Sequence, residues 1–182
     1  MSLRIISGKW RGRTLEAPDG DATRPTADRT RETLFSMLTS RLGSFEDLTV
    51  ADLFAGSGAL GLEALSRGAA SCIFAEHDPK AIRTLRRNIA SLRAQPQCDV
   101  RATSVMALAP AKQQPDLILM DPPYGTGAGA VALDRLNRLG WVSPSAWIGI
   151  ETSRKEDVHV KGFSVEATRD SGKARLHLLR PD

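Results

Sequence analysis

Asp52-Leu53-Phe54-Ala55-Gly56-Ser57-Gly58-Ala59-Leu60-Gly61 sets the pattern G-x-G-x-x-G between an apolar run and a helix-like segment. Thr49 to Phe54 is expected to form a strand and Ala59 to Ser66 a helix. Glycines at such a junction permit a tight turn and let a ligand approach the backbone closely. Glu76 ends the next expected strand, Ser71 to Ala75, 20 residues after Gly56. A carboxylate at that spacing can bind the two hydroxyls of an adenosine ribose.

On either side of this loop the chain alternates strand and helix patterns. Leu34, Phe35, Leu38 and Leu42 recur at helical spacing from about Asp28 onward. Pro79 to Leu92 reads as a second amphipathic helix, with Ile82, Leu85, Ile89 and Leu92 on one face and Asp78 as its cap. A weaker strand near Val100, a strong one over Asp116 to Met120, a helix near Ala130 to Leu139 and a strand over Trp147 to Ile150 follow. Repeated β-α units of this kind imply a parallel sheet with helices on both faces. Phe163 to Thr168 and Arg175 to Leu179 are joined only by the turn Arg169 to Lys173, so these last two strands must be antiparallel. The expected fold class is therefore α/β: a Rossmann-like three-layer sandwich of the class I methyltransferase type, with a mostly parallel seven-stranded sheet ending in an antiparallel hairpin. Leu3 to Ser7 and Gly12 to Leu15 add a small N-terminal β-hairpin. The expected division is residues 1–23 for hairpin and connection and 24–182 for the main domain.

NAD and S-adenosylmethionine both use such a crevice. Asp52 favours the second, since an unpaired carboxylate at the start of the glycine turn repels a pyrophosphate but attracts the ammonium of a methionine moiety. The alternative is that Asp52 is buried and paired with a lysine or arginine.

Asp121-Pro122-Pro123-Tyr124 closes the apolar run Asp116 to Met120. An exocyclic amine on a nucleobase is a poor nucleophile because its lone pair is delocalised into the ring. Two acceptors on its hydrogens, the Asp121 carboxylate and the Pro122 carbonyl, would turn the nitrogen tetrahedral and aim its lone pair, so that orientation supplies most of the catalysis. Pro122 and Pro123 bring no competing N–H and stiffen the turn. Tyr124 offers a flat face to a base, and Asp121 can accept the released proton. The loop and this tetrapeptide together point to methyl transfer onto an amino nitrogen.

A net charge of +4 permits a polyanionic partner, and the distribution strengthens that reading. Residues 1–14 carry Arg4, Lys9, Arg11 and Arg13 with no acid. Residues 80–101 carry Lys80, Arg83, Arg86, Arg87, Arg93 and Arg101 against Asp99 alone. Two basic clusters suit a phosphate backbone. No run reaches the roughly 18–20 apolar residues of a membrane span, and no secretory signal is visible, so the expected location is cytoplasmic. Cys72 and Cys98 have neither paired spacing nor a neighbouring histidine, so no metal is expected.

Four segments resemble the RsmD-type 16S rRNA guanine-N2 methyltransferases: Arg4 to Arg13, Arg24 to Phe35, Asp52 to Gly68, and Asp121 to Tyr124. The resemblance covers nearly the whole chain, and the first two segments are the more particular to that family. It implies S-adenosylmethionine as cofactor, held by Asp52, Phe54, Ala55, Gly56, Ser57, Gly58, Glu76, His77, Ser104 and Val105. It implies that Asp121, Pro122, Pro123 and Tyr124 hold the guanine amine. Arg4, Lys9, Trp10, Arg11, Arg13, Arg24, Thr26, Arg29 and Arg31 would lie against RNA, with the Arg24 to Glu32 segment near the substrate mouth; salt bridges with Asp28 and Glu32 are the other use for its arginines. The partner would be 16S rRNA in the small ribosomal subunit or an assembly intermediate, met by a monomer, with no membrane. The sequence departs from the family's pattern twice. Thr103-Ser104-Val105 stands where an acidic or amide residue often binds the adenine amine, leaving a hydroxyl or the Val105 backbone to substitute. Asp170-Ser171-Gly172-Lys173 stands where Tyr-Gly is common. Trp10 can stack on a base or anchor the hairpin.

Three other functions compete with this reading. A DNA adenine-N6 or cytosine-N4 methyltransferase could use the same tetrapeptide but normally needs an added recognition region. An NAD-dependent oxidoreductase leaves the tetrapeptide unexplained, and a non-catalytic RNA-binding module would keep the fold without turnover.

Overall fold

A computed structural model describes residues 3–17 and 24–182, with the side chains of residues 24–26 outside the description. Strands β1 (Leu3–Arg4) and β2 (Thr14–Leu15) precede α1 (Arg24–Leu42). The pattern β3 (Thr49–Leu53), α2 (Ala59–Ser66), β4 (Ser71–Glu76), α3 (Pro79–Ser91), β5 (Cys98–Ala102), β6 (Leu117–Met120), α4 (Ala128–Arg138) and β7 (Trp147–Ser153) follows. Two long strands, β8 (Phe163–Ser171) and β9 (Ala174–Pro181), end the chain.

The main sheet has seven strands in the order β5-β4-β3-β6-β7-β9-β8. Strands β3 to β7 are parallel, while β9 runs antiparallel to both neighbours. Strand β6 shows why its sequence is apolar throughout. Leu117 and Leu119 face the layer containing α1, α2 and α3, whereas Ile118 and Met120 face the layer containing α4, as the two-residue period of a strand covered on both faces requires.

Several boundaries differ from expectation for local reasons. Helix α1 starts at Arg24 instead of near Asp28, because a proline in a helix's first turn needs no N–H and does not delay it. Strand β7 continues past Ile150 to Ser153, since Glu151, Thr152 and Ser153 pair with β9. The C-terminal turn contracts to Gly172-Lys173, with Gly172 at φ 56°. Asp78 caps α3 as expected, its side chain accepting from the Lys80 N–H at 3.3 Å.

The N-terminal hairpin packs directly on the body. Leu3, Ile5 and Leu15 are buried in the same cluster as Leu34, Phe35, Leu62 and Leu65. Glu63 of α2, fully buried, accepts from the Ile6 and Ser7 N–H groups at 2.9 and 3.1 Å. It also pairs with Arg67 at 2.9 Å and Arg31 at 3.5 Å. Gly8, at φ +92°, lets this contact form, because a Cβ there would lie 1.9 Å from the Ser66 carbonyl oxygen.

Candidate active site

The order of the sheet reverses direction at β3, whose two neighbours are β4 and β6. Ligands of open α/β sheets bind outside the carboxyl ends of strands at such a point. Register aligns Leu53 with Met120, so the glycine loop after β3 and the Asp121 tetrapeptide after β6 leave the sheet side by side. A cavity of about 900 Å³ opens there.

Phe54 enters the glycine loop at φ 60°, a conformation costing a non-glycine residue on the order of 1–2 kcal/mol and typical of functional sites. Phe54, Ala55, Gly56 and Ser57 line the cavity. Gly58 does not; it caps α2 at φ 85°, and a Cβ on it would meet Leu85 Cδ1 at 2.3 Å. Its role is to shape the loop from beneath.

Asp52 is also placed behind the loop, which corrects its expected contact with a cofactor. It is buried, and its Oδ2 accepts from the Gly61 N–H at 2.9 Å. Burial above all, and the nearby acid Glu76, raise its pKa to about 8. Its other oxygen, Oδ1, has no partner among the described residues. Among the described residues Asp52 is paired with no lysine or arginine either; the carboxyl braces the start of α2.

Glu76, at the end of β4, does line the cavity and is prearranged there. Its Oε1 accepts from the Gly56 N–H at 2.9 Å, and its Oε2 from the His77 and Asp78 N–H groups at 3.0 and 2.9 Å. A carboxylate has about four lone-pair directions, so Oε1 retains capacity for a hydroxyl. His77 lines the rim with its ring largely exposed. Beyond β5, Thr103 and Val105 reach the cavity. Ser104 does not: its hydroxyl accepts from the Met106 N–H at 3.2 Å and caps a short turn of helix, which overturns its expected place in the site.

All four residues of the tetrapeptide line the opposite wall. Pro122 is buried while Asp121, Pro123 and Tyr124 are exposed. The Pro123 carbonyl accepts from Thr126 Oγ1 at 2.7 Å, and Glu156 ties the following turn to the end of β7. Its oxygens accept from Ser153 N–H at 2.9 Å and Gly127 N–H at 3.5 Å. Backbone hydrogen bonds, the Gly125 N–H foremost, hold the Glu156 pKa down at about 2.

Glu151 is the principal site residue that the sequence patterns do not single out. It lines the cavity beside the tetrapeptide and accepts from the Tyr124 hydroxyl at 2.7 Å. Burial raises its pKa, and burial likewise pushes the Tyr124 hydroxyl far above its usual range. A signal exists nonetheless: Glu151 follows the apolar run Trp147 to Ile150 as Glu76 and Asp121 close theirs. Thr30, within the Arg24 to Glu32 segment expected near the substrate mouth, and the turn Ser171 to Lys173, to which the sequence assigned no function, also reach the cavity. The Thr30 and Ser171 hydroxyls lie 3.0 Å apart.

Residues expected against RNA divide. Arg4, Lys9, Arg11, Arg13 and Arg29 are exposed. Trp10 is half-buried against the core with Lys9 Nζ 4.6 Å from its ring centroid, consistent with an anchor. Arg31 is corrected: it is 5% exposed, and its guanidinium bonds the Arg4 carbonyl and pairs with Asp28 at 3.1 Å. It therefore holds α1 to the hairpin, although Ala27, Thr30 and Arg31 together do bring this segment to the cavity. The side chains of Arg24 and Thr26 lie outside the described residues. Among the described residues there is no cluster of three or more potential metal ligands and no helix long and apolar enough to cross a membrane.

A seven-stranded sheet of this order, with a glycine loop, a strand-end acid and a cavity at the switch point, defines a class I methyltransferase. Fold comparison agrees. The yhhF protein of Escherichia coli superposes with a TM-score of 0.86 at 32% identity, covering 100% of this chain and 99% of that one. Magnesium protoporphyrin IX methyltransferase from Synechocystis, solved with bound S-adenosylmethionine, shares the fold at a TM-score of 0.69 and 16% identity, over 87% of this chain and 81% of its own.

The family can be stated more narrowly. The sequence model described as Conserved hypothetical protein 95 matches residues 3–180, and the chain belongs to this family, the RsmD-type methyltransferases. It is 40% identical over 150 residues to ribosomal RNA small subunit methyltransferase D of Escherichia coli K12, spanning 82% of this chain and 74% of that protein. The protein of the same name from Haemophilus influenzae is 38% identical over 156 residues, spanning 84% and 79%.

Proposed function

We propose that this protein transfers a methyl group from S-adenosylmethionine to the exocyclic N2 amine of a guanine in 16S rRNA. The observation that carries the reading is the meeting of Asp121 to Tyr124 with the glycine loop and Glu76 in one cavity of about 900 Å³. The ribosomal target is supported by relatives named for methylation of small-subunit rRNA.

The residues present fit the cofactor. Gly56 and Ser57 leave the loop backbone open to a ligand, and Glu76 is held by three N–H groups with an oxygen still able to accept from a ribose. Thr103 and Val105 line the adenine end. When bound, S-adenosylmethionine supplies an electrophilic methyl group on a cationic sulfur. Asp121 accepts from an amine hydrogen, rotating the nitrogen lone pair out of the ring plane, and takes up the proton lost after transfer. Tyr124, fixed through its hydroxyl by Glu151, presents its ring to the base.

The basic clusters support an RNA surface beside this cavity. The hairpin lies along α3: Arg13 Nη2 donates to the Ser91 carbonyl at 2.7 Å, and Glu16 pairs with Arg87 at 2.7 Å. Arg13 therefore sits at the C-terminal end of α3, whose Arg83, Arg86 and Arg87 are exposed, and Lys9 lies within 3.4 Å of Gln97 just beyond it.

Mass spectrometry of rRNA nucleosides from cells lacking this protein tests the proposal. N2-methylguanosine should fall at one small-subunit position and return with the wild-type gene but not with Asp121→Ala. Unchanged N2-methylguanosine would refute the guanine target, and rescue by Asp121→Ala would refute the role of the carboxylate.

A further inference from the structure

Glu151 and Asp121 extend neighbouring parallel strands. Met120 of β6 pairs with Ile150 of β7, so Asp121, the first residue past β6, comes beside Glu151, which is still within β7 and paired with β9, at roughly the 4.8 Å spacing of adjacent strands. Both line the cavity, and Asp121 and Tyr124 are the hydrogen-bonding side chains facing Glu151. Structural stability does not call for a second acid there. Placing two carboxylates together raises the cost of ionising either, and a cavity-facing position in β7 could hold an apolar or amide residue instead.

A flipped guanine explains the pair. Enzymes that act on an extruded base read it by hydrogen bonds along its Watson–Crick edge. On guanine that edge carries two adjacent donors, the N2 amine and N1–H. Adenine and cytosine place a bare ring nitrogen, an acceptor, next to their amines. We propose that Glu151 is the specificity-determining residue for guanine, its carboxylate accepting N1–H while Asp121 accepts from the N2 amine that is methylated. This rests on the guanine-N2 reading above and adds the means by which the site rejects other amino bases. Tyr124 serves both parts, since its hydroxyl orients Glu151 at 2.7 Å while its ring faces the base.

The discriminating substrate is one that keeps the 2-amine but loses N1–H. Small subunits reconstituted from semisynthetic 16S rRNA, bearing guanine or 2-aminopurine at the methylated position, supply it. Single-turnover methylation by the wild-type protein should favour guanine by about 30-fold or more, because a group built to receive an N–H strongly disfavours an analogue with an acceptor there. Glu151→Gln, whose amide can donate to the bare nitrogen, should narrow that ratio about tenfold. Competition binding without methyl donor should show the same narrowing. Tyr124→Phe, which keeps the Glu151 carboxylate but removes the hydroxyl that orients it, should lower the rates and narrow the ratio less than Glu151→Gln does.

Equal wild-type rates on the two substrates would overturn the proposal without any variant. So would an unaltered ratio in Glu151→Gln with both rates lowered alike, which would reduce Glu151 to a support for Tyr124 while leaving guanine as the target. If wild type methylates neither substrate but methylates another amino base, the guanine-N2 reading itself fails.

Discussion

Replacing Glu63 with glutamine should loosen the N-terminal hairpin while leaving the core volume unchanged. The wild-type carboxylate is fully buried, receives the Ile6 and Ser7 N–H groups and faces both Arg31 and Arg67. An amide offers one oxygen, so one backbone N–H would meet an NH2 group and go without its acceptor, at about 1–3 kcal/mol. Arg31, itself buried, would retain Asp28 but be deprived of its buried partner. Removing one member of a buried ion pair costs about 3–5 kcal/mol, and because these effects share one group they do not simply add. The expected destabilisation is therefore about 3–5 kcal/mol. At a urea dependence of about 2 kcal/mol/M, the unfolding midpoint should fall by roughly 2 M. Amide hydrogen exchange should accelerate at Ile6 and Ser7 ahead of the sheet. A midpoint shift below about 0.3 M, with exchange at these two amides unchanged, would refute the assignment of Glu63 as the tether.

Asp52→Asn should change the pH dependence of stability. Because burial raises the Asp52 pKa from 3.8 to about 8, the folded state holds a proton that the unfolded state releases, so wild-type stability declines as pH rises from about 4 to about 8. The asparagine variant should gain on wild type across that window, and parallel unfolding curves would contradict the burial of an ionisable Asp52. Alanine at Lys9, Arg11 and Arg13 should weaken RNA binding and reduce the slope of log K against log salt by about 0.7 for each phosphate that is no longer neutralised. Filter binding at several salt concentrations checks this, and an unchanged slope would remove the hairpin from the interface. Glu76→Ala should weaken S-adenosylhomocysteine binding by about tenfold or more in calorimetry, the share of a charge-assisted hydrogen bond. Retained affinity would mean that the ribose is held elsewhere.

Much of this architecture is written locally. Alternating strand and helix patterns, glycines between β3 and α2, Asp78 before Pro79 and the close-set final strands are short-range signals that survive in any context. Apolar strands and a glycine turn have few ways to pack, so sheet type, switch point and the position of Asp121 beside the glycine loop are legible in the order of residues. Glu76 is legible because its spacing from Gly56 reflects one strand-helix-strand unit.

What the tertiary structure alone decided depends on which way a side chain faces and what lies across from it. Asp52 and Ser104 belong to the right segments but point behind the loop and into a turn, where backbone N–H groups need them. Arg31 is drawn inward by Glu63, a helix away in sequence, and leaves the RNA face. Glu151 enters the site only because β7 continues beyond its apolar run, stabilised by pairing with β9. Its acidity and position then acquire meaning from Asp121 and Tyr124 in the loop after the adjoining strand, a juxtaposition created by long-range pairing and absent from any local pattern.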